Sequence, residues 1–189
     1  MRLFLALTLL AGPALADCPR PSDMAGNGVR FSASTGDVET FVRYADGSVE
    51  STVESETKPT VRAVLAKGMY LTRIFDLVDG KAENETRYSY PTALDNLPEP
   101  FPDGALTLTV EGFDGTDRFK STETYTFGPA SVLTIGTCAF AMIPVALSYG
   151  QEREIYHYLP EYGLSYLAES IAPDGAKTDY RYDTVVGLR

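Results

Sequence analysis

The sequence is poor in the residues on which most enzymatic and metal chemistry depends. It has no tryptophan, two cysteines and one histidine, His157. A Ser-His-Asp triad could be built only around His157, and no Gly-x-Ser-x-Gly motif supplies a nucleophile. A zinc site needs three or four suitable ligands, and a phosphate loop needs a glycine-rich motif that this sequence does not contain. These absences favour a non-enzymatic protein without a metal or a cofactor.

Long apolar runs are also missing. The best candidate, Leu3 to Ala11, is far shorter than the roughly 20 residues of a membrane helix. It follows Arg2 and precedes a helix-breaking Gly-Pro and an Ala-Leu-Ala cleavage site, which is the order of a secretory signal peptide; a buried helix is the alternative. We therefore expect residues 1–16 to be a signal peptide cleaved after Ala16. Residues 17–189 should form one exported domain, periplasmic or secreted, that does not span the membrane.

The expected export of the chain bears on the state of its two cysteines, Cys18 and Cys138. Oxidising compartments favour pairing, so we expect a disulfide that closes a loop of about 120 residues. Two free buried thiols are the alternative. Neither cysteine belongs to a Cys-x-x-Cys motif, which disfavours a redox catalyst. The charged Asp17 directly before Cys18 fits lipid attachment poorly.

Basic residues are outnumbered by acidic ones. The formal net charge is −10, and it becomes −11 when Arg2 leaves with the signal peptide. A negative field repels nucleic acid and anionic membrane surfaces, so we expect no nucleic-acid partner. It does not identify the partner, for which a small apolar ligand and an envelope protein are both open, and the oligomeric state is not indicated.

The dominant pattern in the chain is a hydrophobic period of two. Alternation is clear at 49–54, at 106–111 and in 119–127, where Phe119, Ser121, Glu123, Tyr125 and Phe127 share one face. Such alternation is typical of half-buried antiparallel strands. Five Asp-Gly pairs, which supply the positive φ angles of hairpin turns, lie mostly between alternating runs. The sequence predicts an all-β fold, an antiparallel meander that forms a barrel, a half-barrel or a two-layer sandwich.

The predicted strands are 28–34, 38–45, 48–55, 60–66, 69–78, 82–90, 105–112, 118–127, 131–138, 143–149, 152–159, 164–171 and 177–186. Two segments rich in proline interrupt this pattern. Residues 17–28 are predicted to be an irregular arm, and residues 91–104, with four prolines, a long loop. One domain with a long crossing loop is preferred to two small domains.

Acidic residues offer two weaker chemical candidates. Glu152 and Glu154 share a strand face at about 6.5–7 Å, within the range used by glycoside hydrolases, although such a pair also suits a solvated hairpin. Asp114 and Asp117 could contribute to a calcium site, but no spaced ligand series completes it, and turn formation explains them as well. No metal site is therefore predicted.

Tyrosine is the most distinctive residue of the sequence, with twelve copies. Several tyrosines lie two residues apart on predicted strands, and Tyr149 and Tyr166 could extend the set. The tentative ligand-binding residues are Tyr88, Tyr90, Tyr156, Tyr158, Tyr180 and Tyr182. Cross-strand aromatic pairs stabilise sheets, so the first interpretation is a sheet-face cluster within the core. The alternative is an amphipathic groove, because phenol rings supply apolar walls and hydroxyls supply polar groups.

The segment Tyr158-Leu-Pro-Glu-Tyr-Gly163-Leu164 is followed by a strand, an Asp-Gly turn and Tyr180-Arg-Tyr182. It resembles the closing hairpins of exported β-rich bacterial proteins of unknown function, in which a Tyr-x-Pro-Glu-x-Gly-Leu stretch joins two late strands. This resemblance covers about 30 residues and implies no activity.

Three functional hypotheses follow. The first is a non-enzymatic exported binding or carrier module for an apolar or amphipathic ligand held against the tyrosines. The second is an envelope protein that docks another protein or has a structural role. The third is a carboxylate-based hydrolase that would use Glu152 and Glu154.

Overall fold

The computed structural model describes residues 18–189, which form fourteen strands and two short 3-10 helices. The first strands are β1 (Val29–Ser32), β2 (Val38–Arg43), β3 (Val49–Glu54), β4 (Thr60–Ala66), β5 (Tyr70–Val78), β6 (Lys81–Ser89) and β7 (Ala105–Phe113). The remaining strands are β8 (Arg118–Phe127), β9 (Ser131–Ile135), β10 (Cys138–Tyr149), β11 (Glu152–Leu159), β12 (Leu164–Ile171), β13 (Lys177–Asp179) and β14 (Thr184–Gly187). The 3-10 helices are Pro21–Ala25 and Leu94–Asn96. None of the helices in this range is long and apolar enough to cross a membrane.

All strands belong to one antiparallel sheet. Its order is β13-β12-β11-β10-β8-β7-β6-β5-β4-β3-β2-β1-β14, and β9 pairs with the first part of β10. Most neighbours in the sheet are also neighbours in sequence, which is the signature of a meander. The predicted all-β antiparallel meander is therefore confirmed. The sheet is not closed, because β13 and β14 remain its two edges.

The two edges of the sheet nevertheless lie close together. Tyr180 donates its backbone N–H to Ala168 of β12, and Asp183 donates its own to Ser32 of β1. The chain between β13 and β14 therefore crosses from one edge to the other in a few residues, and we call this crossing the seam. The sequence predicts a single strand over 177–186, but the structure breaks it here because each half pairs with a different edge.

The curvature of the sheet brings its inner face together into two hydrophobic clusters. One contains Phe31, Phe41 and Tyr166, with residues of the arm and of β14. The other contains Tyr125 and Val145, with the start of β5 and parts of β7 and β8. Burial alternates along the strands, as expected for side chains that point to opposite faces. In strands such as β7 and β8, the predicted period of two thus assigns one face to this interior.

Strand β10 contributes to both clusters because its inward face shifts midway. Cys138 and Phe140 are buried in the half that pairs with β9, whereas Ile143, Val145 and Leu147 are buried in the half that pairs with β11. Phe140 and Ile143 are both buried although the spacing between them is odd, so the inward-facing set of residues changes between the two halves. The sequence predicts two strands, 131–138 and 143–149, but the turn lies between β9 and β10 and the second strand is longer than expected.

Cys18 and Cys138 form the predicted disulfide. The bond ties the arm to the start of β10, and the arm packs Met24, which is almost fully buried, into the first cluster. A disulfide fits the oxidising environment of an exported protein. The predicted signal peptide, residues 1–16, lies outside the described residues.

Two connections cover one end of the sheet. In the loop 91–104, Leu97 is buried and the Pro98 carbonyl accepts a hydrogen bond of 2.7 Å from the Tyr70 hydroxyl. The sheet is continuous across this loop, since β6 pairs with β7. In the β11–β12 hairpin, the turn is packed so closely on the β4–β5 turn that a Cβ atom on Gly68 would lie 1.9 Å from the Gly163 carbonyl oxygen.

Candidate functional site

A cavity of about 440 Å³ lies inside the curved sheet. Residues of β2 to β6 form one wall and residues of β8, β10, β11 and β12 form the other. Its buried end is formed by Met69 and Ser165, and its exposed end includes Phe119, whose side chain is 39% exposed. This volume lies within the range of about 300–1,000 Å³ that is usual for sites of small ligands.

The cavity wall combines apolar, aromatic and acidic side chains. The apolar members are Ala63, Leu65, Met69, Leu71, Ile74, Leu147 and Leu167. The aromatic members are Tyr88, Phe119, Tyr125, Tyr149, Tyr156 and Tyr166. The polar members are Ser51, Ser121, Ser165, Glu39, Glu123 and Glu154, and no Lys, Arg or His is among the described residues that line the cavity.

Glu39 is the most deeply buried of the three glutamates. It follows Val38 on β2, and alternation with Phe41 turns its side chain to the interior. It accepts a hydrogen bond of 2.5 Å from the Tyr182 hydroxyl and another from the Ser51 hydroxyl. Burial raises the pKa of the Glu39 carboxyl, and the two hydrogen bonds act in the opposite direction without cancelling this effect.

Glu123 and Glu154 face the cavity from β8 and β11. Each accepts a hydrogen bond from a tyrosine two residues further along its own strand, because residues two apart on a strand share a face. Tyr125 donates to Glu123 at 2.5 Å, and Tyr156 donates to Glu154 at 2.7 Å. Burial raises the pKa of the Glu123 carboxyl, and the charge of Glu154 adds to that rise.

The aromatic ring at the exposed end is held by a glycine on the neighbouring strand. Phe119 lies directly opposite Gly112 in the β7–β8 register, and a Cβ atom on Gly112 would lie 2.0 Å from the Phe119 ring. The ring therefore covers the backbone of Gly112. It also contacts Tyr88 edge-on, with 5.9 Å between ring centroids. These contacts place an aromatic pair beside the entrance.

These side chains can make three kinds of contact with a bound molecule. The apolar wall would bury hydrocarbon, the aromatic rings would contact flat or cationic groups, and the carboxylates and hydroxyls would hydrogen-bond a polar group.

No family model matches this chain, nor does any curated protein or solved structure. The arrangement is a mainly apolar cavity whose wall carries three carboxyl groups.

The six predicted tyrosines are divided among different environments. Tyr88 and Tyr156 line the cavity. Tyr90 lies behind its wall, where its hydroxyl donates to the Leu71 carbonyl at 2.9 Å. Tyr158 is buried in the second hydrophobic cluster. The remaining two, Tyr180 and Tyr182, lie in the seam: Tyr180 is exposed on the surface, and Tyr182 reaches inward to Glu39.

The other chemical candidates lie at or outside the cavity. Glu154 lines it, whereas Glu152 is exposed beyond the lining. His157 contacts Tyr166, with 2.9 Å between its Nδ1 atom and the phenol oxygen, and burial lowers the pKa of its imidazole. Asp114 accepts backbone hydrogen bonds within its own turn. Within residues 18–189, no group of three or more His, Cys, Asp or Glu side chains could hold a metal ion.

Glu39 and Glu123 are not among the predicted site residues. A signal was present, because Glu123 lies on the same alternating face as Phe119, Tyr125 and Phe127. An acidic residue on an otherwise apolar strand face is expected either to be paired or to face a cavity. Glu39 likewise lies two residues from a buried aromatic residue, Phe41, on the same face of β2.

Proposed function

We propose that this chain is a non-enzymatic exported binding module that holds an amphipathic ligand in the cavity of its curved sheet. The observation that carries this proposal is the cavity itself, whose volume and mainly apolar wall suit a ligand of small-molecule size. The disulfide supports an exported location. Tyrosine hydroxyls and carboxylates inside an apolar wall support an amphipathic ligand rather than a pure hydrocarbon.

Native mass spectrometry of gently purified protein tests whether a ligand accompanies it. We expect an added mass that is lost on partial unfolding. A second measurement of binding uses Nile red, an uncharged dye whose fluorescence rises in apolar surroundings. A fluorescence increase that saturates at one dye per chain is the expected result.

A variant that fills the cavity locates the binding site. Ala63 lines the cavity from β4, so Ala63→Phe would occupy the space that the dye requires and lower the dye affinity at least tenfold. Ala139 is exposed on β10 outside the lining, and Ala139→Phe is the control that should leave the affinity unchanged. The proposal is overturned if the wild type binds neither a ligand nor the dye, or if Ala63→Phe binds as well as the control.

A further inference from the structure

The electrostatic character of the cavity narrows the class of ligand. Three glutamates line it, and the described lining contains no basic residue. Glu39 is buried and Glu123 is half-buried, so these carboxylates have lost part of the water that would stabilise their charges. The wall therefore carries three carboxyl groups with no basic side chain in the lining beside them.

The hydrogen bonds within the wall leave capacity for a ligand. An ionised carboxylate has about four acceptor sites, and the phenol of Tyr125 or Tyr156 occupies one site on its glutamate. These phenols also orient the carboxylates, because each donor lies on the same strand as its acceptor. The cavity wall thus presents carboxylate oxygens in defined positions beside aromatic rings.

Two kinds of cation could satisfy such acceptors. A bare metal ion needs several carboxylates to converge at short distances, and no such group exists within the described residues. An organic ammonium ion needs instead a roomy site with acceptors, aromatic faces and apolar walls. The cavity offers each of these, with Tyr88 and Phe119 at its exposed end.

We propose that the cavity selects amphipathic ligands that carry a positively charged amine or quaternary ammonium group, with Glu123 and Glu154 facing the charge and the apolar wall burying the hydrocarbon part. This inference rests on the proposed function, since it assumes that the cavity binds a ligand. It adds the sign of the ligand's charge and the residues that recognise it.

Isothermal titration calorimetry with three probes tests the charge preference. The probes are octyltrimethylammonium, octyl sulfate and 1-octanol, which share one chain length and are used below micellar concentrations. We expect the cation to bind at least tenfold more tightly than the alcohol, and the anion more weakly than the alcohol. Equal binding of cation and alcohol overturns the charge inference but leaves the proposed function standing. Failure of all three probes to bind overturns both.

Charge-neutralising variants identify the recognising residues. Glu123→Gln combined with Glu154→Gln should reduce cation binding at least tenfold and leave 1-octanol binding within about twofold. The control combines Glu83→Gln with Glu111→Gln, which removes the same charge from exposed positions. An equal loss in the control overturns the assignment. Glu154→Gln alone is the second variant if the double variant unfolds, and undiminished cation binding in it also overturns the assignment.

Discussion

Removal of the disulfide should cost a large share of the stability of this protein. The bond joins residues separated by 120 positions. In the chain-entropy model, release of a loop of that length increases the entropy of the unfolded chain by about 16 cal/mol/K, or about 5 kcal/mol at 25 °C. Because single domains are stable by about 5–15 kcal/mol in total, this loss is about a third or more of the total.

The measurement is urea unfolding of the wild type and of Cys18→Ala/Cys138→Ala, followed by circular dichroism. We expect the free energy of unfolding to fall by about 4–5 kcal/mol, less any stabilising structure in the unfolded chain. The reduced wild type is the control, because it breaks the same bond without removing a side chain. A loss below about 1 kcal/mol in both proteins would refute the reasoning, since it would mean that the bond hardly restricts the unfolded state.

Two further substitutions test the packing at the turns and the buried acid. Gly68→Ala should destabilise the protein by at least about 1 kcal/mol more than Gly80→Ala in urea unfolding, because both glycines have positive φ but only Gly68 contacts a neighbouring turn; equal losses would contradict this packing. The variant Glu39→Gln tests the pH dependence of the free energy of unfolding, because burial raises the pKa of Glu39 in the folded state. The stability contributed by the protonated Glu39 is complete below its unfolded pKa of about 4.3, and it is lost as the pH rises through the folded value. The free energy of unfolding of the variant, relative to the wild type, should therefore increase with pH across this window, and a difference that stays constant between pH 4 and 8 would disprove the assignment.

Most of the strands were predictable because the alternation that indicates a strand lies within its own sequence. Side chains alternate between two faces, so segments such as 49–54, 106–111 and 119–127 indicate both their conformation and their inward face. The pattern failed in β10, where Pro144 and the shift of the inward face between Phe140 and Ile143 conceal a continuous strand. It also failed at 177–186, where the change of pairing partner depends on where the opposite edge of the sheet lies.

The site was less predictable than the strands. Its three glutamates come from β2, β8 and β11, and their proximity depends on how far the sheet curves. Local alternation states which face a residue occupies but not which distant residue it will meet. The sequence therefore indicates Tyr88 and Tyr156, which belong to same-face tyrosine pairs, but it does not distinguish Glu39 from the many surface acids.

The packed turn at Gly163 assigns a physical role to the Tyr-x-Pro-Glu-x-Gly-Leu segment. Tyr162 donates its hydroxyl to the Pro19 carbonyl at 2.7 Å, and Arg43 donates to the carbonyl of Tyr162. The hairpin is thus joined to the arm and to β2 as well as to the β4–β5 turn. The two hydrogen bonds connect residues more than a hundred positions apart, and the contacts together account for the segment without assigning it any chemistry.

The crossing chain of the seam, and not a ladder between paired strands, joins the two edges of the sheet. In a closed barrel, strand number and shear determine the diameter, and a change of diameter requires ladder hydrogen bonds to break. Here the two edges are joined by the chain that crosses between them and by side-chain contacts such as that of Tyr182 with Glu39. The curvature of the interior is therefore set by the crossing chain and by side-chain packing across the seam, rather than by strand number and shear.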